Sequence, residues 1–419
     1  MSLLVKQAKI IDPNSDLNGK RMDILLEGGK IKSIRKNISS KGKTITASNL
    51  HVSPGWFDMH VNFRDPGDEH KEDLNSGCKA AAAGGFTGVA VMPGTNPPLH
   101  SKAEIEYIRN KARGNIVDVH PIGALSKNLE GKVMTEMYDM YQSGSVAFSD
   151  EKNPIPNAGF LSRAMLYVNG FNSLVITHSE DKNITLEGMM NEGESSTSLG
   201  LNGMPSLAEE VMVTRDVYLA EYTDARLHFA TLSSGKSVDL VRNAKRKGIK
   251  VTAEVAAHQL ALDDTALAEF DSNLKYNPPL RTAQDIAALK KGLADGTIDS
   301  ICSDHCPENV ENKAREFDLA EFGAIGLETA YAVANTFSGL NPEQLVEKLC
   351  IAPRTILKLN VPVIKTGNKA NLTFFDPKEK WTFSQKYIKS KSANSPFIGH
   401  KFVGKALGVY NKGKLYWAG

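Results

Sequence analysis

The chain has 419 residues, 41% hydrophobic and 23% charged, which suits a folded globular protein larger than one ordinary domain. Its 50 basic and 48 acidic residues leave a net charge of +2, so neither nucleic acid nor a membrane surface is expected as an electrostatic partner. Four cysteines (Cys78, Cys302, Cys306 and Cys350) make no CxxC pair, and no apolar run reaches the roughly 18 residues that span a membrane, so a reduced, cytoplasmic protein is expected.

The first fifty residues read as strands and turns. Asp23 to Glu27 runs into Gly28-Gly29, and Lys30 to Ile34 then alternates polar and apolar, a hairpin pattern. The middle alternates β-branched strands with helices rich in alanine and charge. A helix over Asn75 to Ala83 precedes a strand at Gly88 to Met92. Further strands are read at Ser173 to Thr177, Lys250 to Val255 and Asp299 to Ser303. Such alternation means βα units around a parallel sheet, and over about 300 residues a (β/α)8 barrel is the expected closed form. The alternative, an open doubly wound sheet, lacks a GxGxxG turn after any strand. The last fifty residues return to strands at Ala370 to Asp376 and Ala406 to Tyr410, before a turn at Asn411-Lys412-Gly413. The expected division is a composite β domain from residues 1–52 and 365–419 and a barrel over 53–364.

In a barrel of this type the chemistry sits where strands end. Residues two apart in a strand share a face, so Asp58, His60 and Asn62 are expected to point inward, with Arg64 just beyond. Ala147 to Asp150 ends a second strand with a carboxylate, and Val175 to Asp181 brings His178. Leu227 to Thr231 ends another, where the register points His228 away, and Ile301 to His305 brings Asp304. Histidines and aspartates at separate strand ends suit a divalent metal that acidifies a bound water, with a second carboxylate to move the proton. Cys302 and Cys306 flank Asp304 and read as packing residues.

Together these stretches resemble the type I dihydroorotases of the amidohydrolase superfamily, almost end to end. Carrying the resemblance are Pro54 to Gly67, Gly84 to Gly88 with Met92 to Pro98, Phe148 to Asp150, and His178 to Asp181. Val251 to Val255, Asn277 to Arg281, Ser303 to Pro307, Glu316 to Ala320 and Gly326 to Thr329 complete them. The resemblance implies a (β/α)8 barrel with a composite β domain, and reversible cyclisation of N-carbamoyl-L-aspartate to dihydroorotate on a zinc centre. Its ligand set falls on His60, Asp150, His178 and Asp304, with Asp304 also the general acid/base. Two ligand histidines are replaced, by Asn62 and Thr231. Substrate positions are kept at Arg64 and Asn277 and replaced at Gly94 and Glu308.

An amide or hydroxyl is a poor substitute for imidazole on zinc, so at most one weakly bound metal is expected. The joint replacements lead to impaired or lost catalysis and to a structural role beside aspartate carbamoyltransferase, in a homodimer; both partners are implied by the resemblance. One alternative is an active dihydroorotase with a single metal on His60, Asp150 and Asp304, with Asn62 as fourth ligand. Another is an amidohydrolase for a different cyclic amide, with Glu308 reading a cationic or neutral group.

Overall fold

The computed structural model describes residues 2–419. The terminal strands are β1 (Ser2–Ile10), β2 (Arg21–Glu27), β3 (Lys30–Arg35), β4 (Lys43–Ile45) and β5 (His51–Pro54). The barrel strands follow as β6 (Trp56–Val61), β7 (Phe86–Val91), β8 (Asp118–Pro121) and β9 (Val175–Thr177). A two-stranded excursion, β10 (Met190–Asn191) and β11 (Gly203–Met204), precedes β12 (Leu227–Phe229), β13 (Val251–Ala256) and β14 (Ser300–Cys302). The chain ends in β15 (Leu372–Thr382), β16 (Lys401–Asn411) and β17 (Lys414–Trp417).

Both termini build one sheet, in the order β17-β16-β15-β5-β1-β2-β3, with β4 added alongside β1. The join is antiparallel, with Val52 of β5 opposite Phe374 of β15. The barrel is parallel throughout. One arc runs β6-β7-β8 and the other β14-β13-β12-β9. Bridges from Gly123 to Phe148 and from Phe148 to Val175 close one gap, and Val61 to His305 closes the other. The expected strand at Ala147 to Asp150 is therefore reduced to bridges at Phe148, yet it completes the barrel wall. No helix among the described residues is long and apolar enough to cross a membrane.

Alternation within strands sorts the side chains. Leu227 and Phe229 pack outward with the helices, whereas Ala230 joins Phe57, Met59, Ala90 and Ile176 in a separate inner cluster. The two domains meet around Trp56, whose ring lies 4.4 Å from Tyr331 and 5.4 Å from Phe375. Gly55, between β5 and β6, has no room for a side chain, since a Cβ would lie 2.0 Å from Asn371 Oδ1 and 2.1 Å from Thr87 Oγ1.

The helix Leu74–Ala83 begins where Asp73 accepts hydrogen bonds from the Asn75 and Ser76 amides, closing a capping box with Ser76. Asp73 also pairs with Lys391. Burial alone would raise its pKa, but Lys391 and the capping donors outweigh that and hold it near 2. A depressed carboxylate stabilises the fold above its ordinary value near 4 and loses that contribution as pH falls toward 2. Asp73→Ala is expected to cost about 1 kcal/mol at neutral pH, read from the urea midpoint, and less near pH 2.

Candidate active site at the barrel mouth

His60 stands on β6 with Asp304 just past β14. His60 Nε2 lies 3.6 Å from Asp304 Oδ1, and both residues are almost fully buried. Behind His60, its Nδ1 meets Glu254 Oε1 of β13 at 2.8 Å. A carboxylate behind an imidazole fixes the ring and its tautomer, an arrangement common behind metal-binding histidines. Burial disfavours the His60 charge, but Glu254 and Asp304 outweigh it and raise the pKa. Glu254 is itself held near 2 despite burial, by the neighbouring His228 imidazole and the hydrogen bond with His60.

His228 departs from the sequence expectation. Its ring faces the barrel interior, with Nδ1 2.8 Å from Thr252 Oγ1 and Nε2 3.5 Å from Glu254 Oε2. The two-residue period explains this, because Ala230 is inward and Phe229 outward.

Lys152 was passed over in the sequence and is central here. Its Nζ lies 2.8 Å from Asp304 Oδ1 and also donates to the backbone carbonyl of Asn277. Burial works against the Lys152 charge, yet Asp304 outweighs it and raises the pKa, while Lys152 and His60 lower that of Asp304 against its own burial. The ammonium thus supplies the positive charge next to Asp304 that a metal would supply.

The other proposed ligands are engaged elsewhere. Asp150 accepts from the Leu125 and Ser126 amides at 2.9 Å each through Oδ1, and from the Ser126 hydroxyl through Oδ2. Burial nevertheless pushes its pKa up to about 6. His178 Nε2 meets Glu180 Oε2 at 3.2 Å, and that carboxylate also takes Lys182 at 2.8 Å and the Asn277 amide at 3.0 Å. Asp150 and His178 both line a cavity of about 10 Å3, about the least that holds one water. Among the described residues Asn62 Nδ2 and Thr231 Oγ1, both buried, have no hydrogen-bond partner.

A zinc centre does not fit this donor set. Two of the four histidine positions carry no imidazole, Asp150 has both oxygens committed, and Asp304 carries an ammonium. His60, Glu254 and Cys302 do converge closely enough to hold an ion, but Glu254 is shared between two imidazoles and burial raises the Cys302 thiol well above its ordinary value.

The substrate positions show the same internal satisfaction. Arg64 Nη2 donates to Glu308 Oε1 at 2.9 Å, and Glu308 also takes Lys71 at 2.9 Å and Asn312 at 2.8 Å. Glu308 therefore fills the arginine that would hold a substrate carboxylate. Arg64 also donates to Cys306 Sγ at 3.0 Å. At Gly94 a Cβ would lie 1.7 Å from Glu151 Oε2, so an asparagine there requires Glu151 to move. Asn277 donates its side-chain amide to Glu180, and its backbone carbonyl accepts from Lys152.

Two further histidines belong to the scaffold. His305 Nδ1 accepts from the Gly326 amide at 3.2 Å. His258 stacks on Tyr276 with ring centroids 3.8 Å apart, and burial lowers its pKa to about 4.

Comparison with known proteins agrees with this architecture. The family described as dihydro-orotase-like matches residues 50–237. A dihydroorotase of Geotalea daltonii is 43% identical, covering 99% of this chain and 99% of its own. One of Acetivibrio thermocellus is 44% identical over 96% of each chain. Among solved structures, the L-hydantoinase (dihydropyrimidinase) of Arthrobacter aurescens superposes with a TM-score of 0.86 at 24% identity, covering 99% of this chain and 95% of that one. The dihydropyrimidinase of Brevibacillus agri gives 0.83 at 21% identity over 99% and 95%. These structures share the fold, a TIM barrel with a β domain, and the full-length identity to the dihydroorotases is decisive for kinship: the chain belongs to the dihydroorotase-like family.

Proposed function

We propose that this chain is a dihydroorotase-family protein of pyrimidine biosynthesis whose metal-dependent catalysis is impaired or lost. It is retained as a cytoplasmic structural partner of aspartate carbamoyltransferase and is itself a homodimer. The observation that carries the loss of catalysis is the Lys152 ammonium 2.8 Å from Asp304. A general acid/base locked to a lysine cannot exchange protons freely with a reacting amide. The Glu308 carboxylate on Arg64 supports the same conclusion from the substrate side. Partnership with aspartate carbamoyltransferase rests on family resemblance.

The test is dihydroorotate turnover at high protein concentration with zinc or manganese added. No turnover above buffer is expected, and a rate like that of an ordinary dihydroorotase would overturn the proposal. Co-elution with purified aspartate carbamoyltransferase tests the structural role; separate elution would remove it.

One observation favours a second reading, an active single-metal hydrolase. His60 Nε2 and Asp304 Oδ1 are 3.6 Å apart, close to the spacing of two ligands on one ion, and Glu254 orients the imidazole as a ligand. In that state Lys152 must leave Asp304.

A further inference from the structure

The barrel end opposite His60 and Asp304 holds an open cavity of about 640 Å3, a size typical of small-molecule sites. It lies near the starts of β6, β7 and β8, between the barrel floor and the terminal sheet, under the loop 359–363.

Arg354 lines it and is only 4% exposed. The guanidinium sits 5.1 Å from the centre of the Phe57 ring. It hydrogen-bonds only neutral acceptors: the Cys350 carbonyl at 3.1 Å, Cys350 Sγ at 3.3 Å and Thr87 Oγ1 at 3.3 Å. A buried guanidinium ordinarily finds a carboxylate, because its desolvation must be offset. Among the described residues no carboxylate oxygen comes within 4.0 Å of it. The acid in the wall, Asp118, is already matched by Lys412 at 2.7 Å and by the Asn411 amide at 2.9 Å.

Lys369 also lines the cavity, is exposed and has no ion-pair partner among the described residues. The His120 ring makes no hydrogen bond to the protein among the described residues, and burial lowers its pKa to about 4. The wall thus carries excess positive charge next to the apolar side chain of Leu359, with Phe57 buried behind the guanidinium.

We propose that this cavity binds a small organic anion, a carboxylate or phosphate ester on a flat apolar body. Arg354 and Lys369 take the oxyanion, His120 adds a neutral hydrogen bond, and Leu359 covers the body. The site is independent of the barrel mouth and of any metal there.

Calorimetric titration of the full-length protein with phenyl phosphate and with benzoate tests this, with inorganic phosphate and chloride as reference anions. Saturable binding of at least one aromatic anion, tighter than inorganic phosphate, is expected. Lys369→Ala should weaken it about tenfold, the scale of one charge-assisted hydrogen bond. Leu359→Trp, which crowds the apolar wall, should weaken it. Arg354→Met should weaken it most, and the other two substitutions carry the test if that variant fails to fold. No saturable binding of either aromatic anion at millimolar concentration, or binding unchanged by Lys369→Ala and Leu359→Trp, would overturn the proposal.

Discussion

Lys152→Ala is expected to lower the unfolding free energy by about 3–5 kcal/mol and to make the protein's stability respond to zinc. Asp304 is 1% exposed, and among the described residues Lys152 is the one lysine or arginine paired with it. Removing one member of a buried ion pair leaves the other charge desolvated and unmatched, which costs more than the pair itself contributes. The urea midpoint should fall with an unchanged denaturant slope. In the substituted protein His60 Nε2 and Asp304 Oδ1 face a space without a competing cation, so zinc should raise the melting temperature. In the unsubstituted protein zinc should have little effect. Equal zinc response in both proteins would show that the ammonium does not occupy the cation position.

Glu254→Ala should be nearly as damaging, again about 3–5 kcal/mol, because Glu254 is shared by two buried imidazoles. The pH dependence follows from the two shifted groups. Glu254 is depressed to about 2, so its contribution is present above about 4.5 and is lost as pH falls toward 2. His60 is raised, so its contribution is present below about 6.5 and is lost as pH rises through the elevated value. The pair therefore stabilises most between about pH 4.5 and 6.5. Urea midpoints across pH should show this maximum, and Glu254→Ala should flatten it. A substituted protein with the same pH profile would place the dependence elsewhere.

Much of the architecture was legible before any coordinates, because burial imposes simple periods. Strand-helix alternation pointed to the barrel, and the hairpin pattern at both ends pointed to the joint sheet. The wall segment at Phe148 was harder, because its pairing is reduced to bridges that only the closed barrel supplies. The site divides in the same way. His60 and Asp304 come together as the strand ends require. Lys152 was not foreseen, because it follows a turn where Glu151 has φ 55° and reaches a partner on another strand. No local pattern reports such a contact. The sequence shows Glu308 only as a replaced substrate position; the structure shows it matched by Arg64 and Lys71, both far from it along the chain. His228 was misplaced by one register step, which in a strand moves a side chain from one face to the other.

Metal stoichiometry is the most direct measurement. Elemental analysis would be run on protein purified without chelator, and again after zinc loading and removal of free metal. Less than about a tenth of a zinc per chain in both preparations is expected, because Lys152 and the committed Asp150 leave no competent donor set. One or more tightly held zinc ions per chain would contradict a lost metal centre and would favour the single-metal hydrolase.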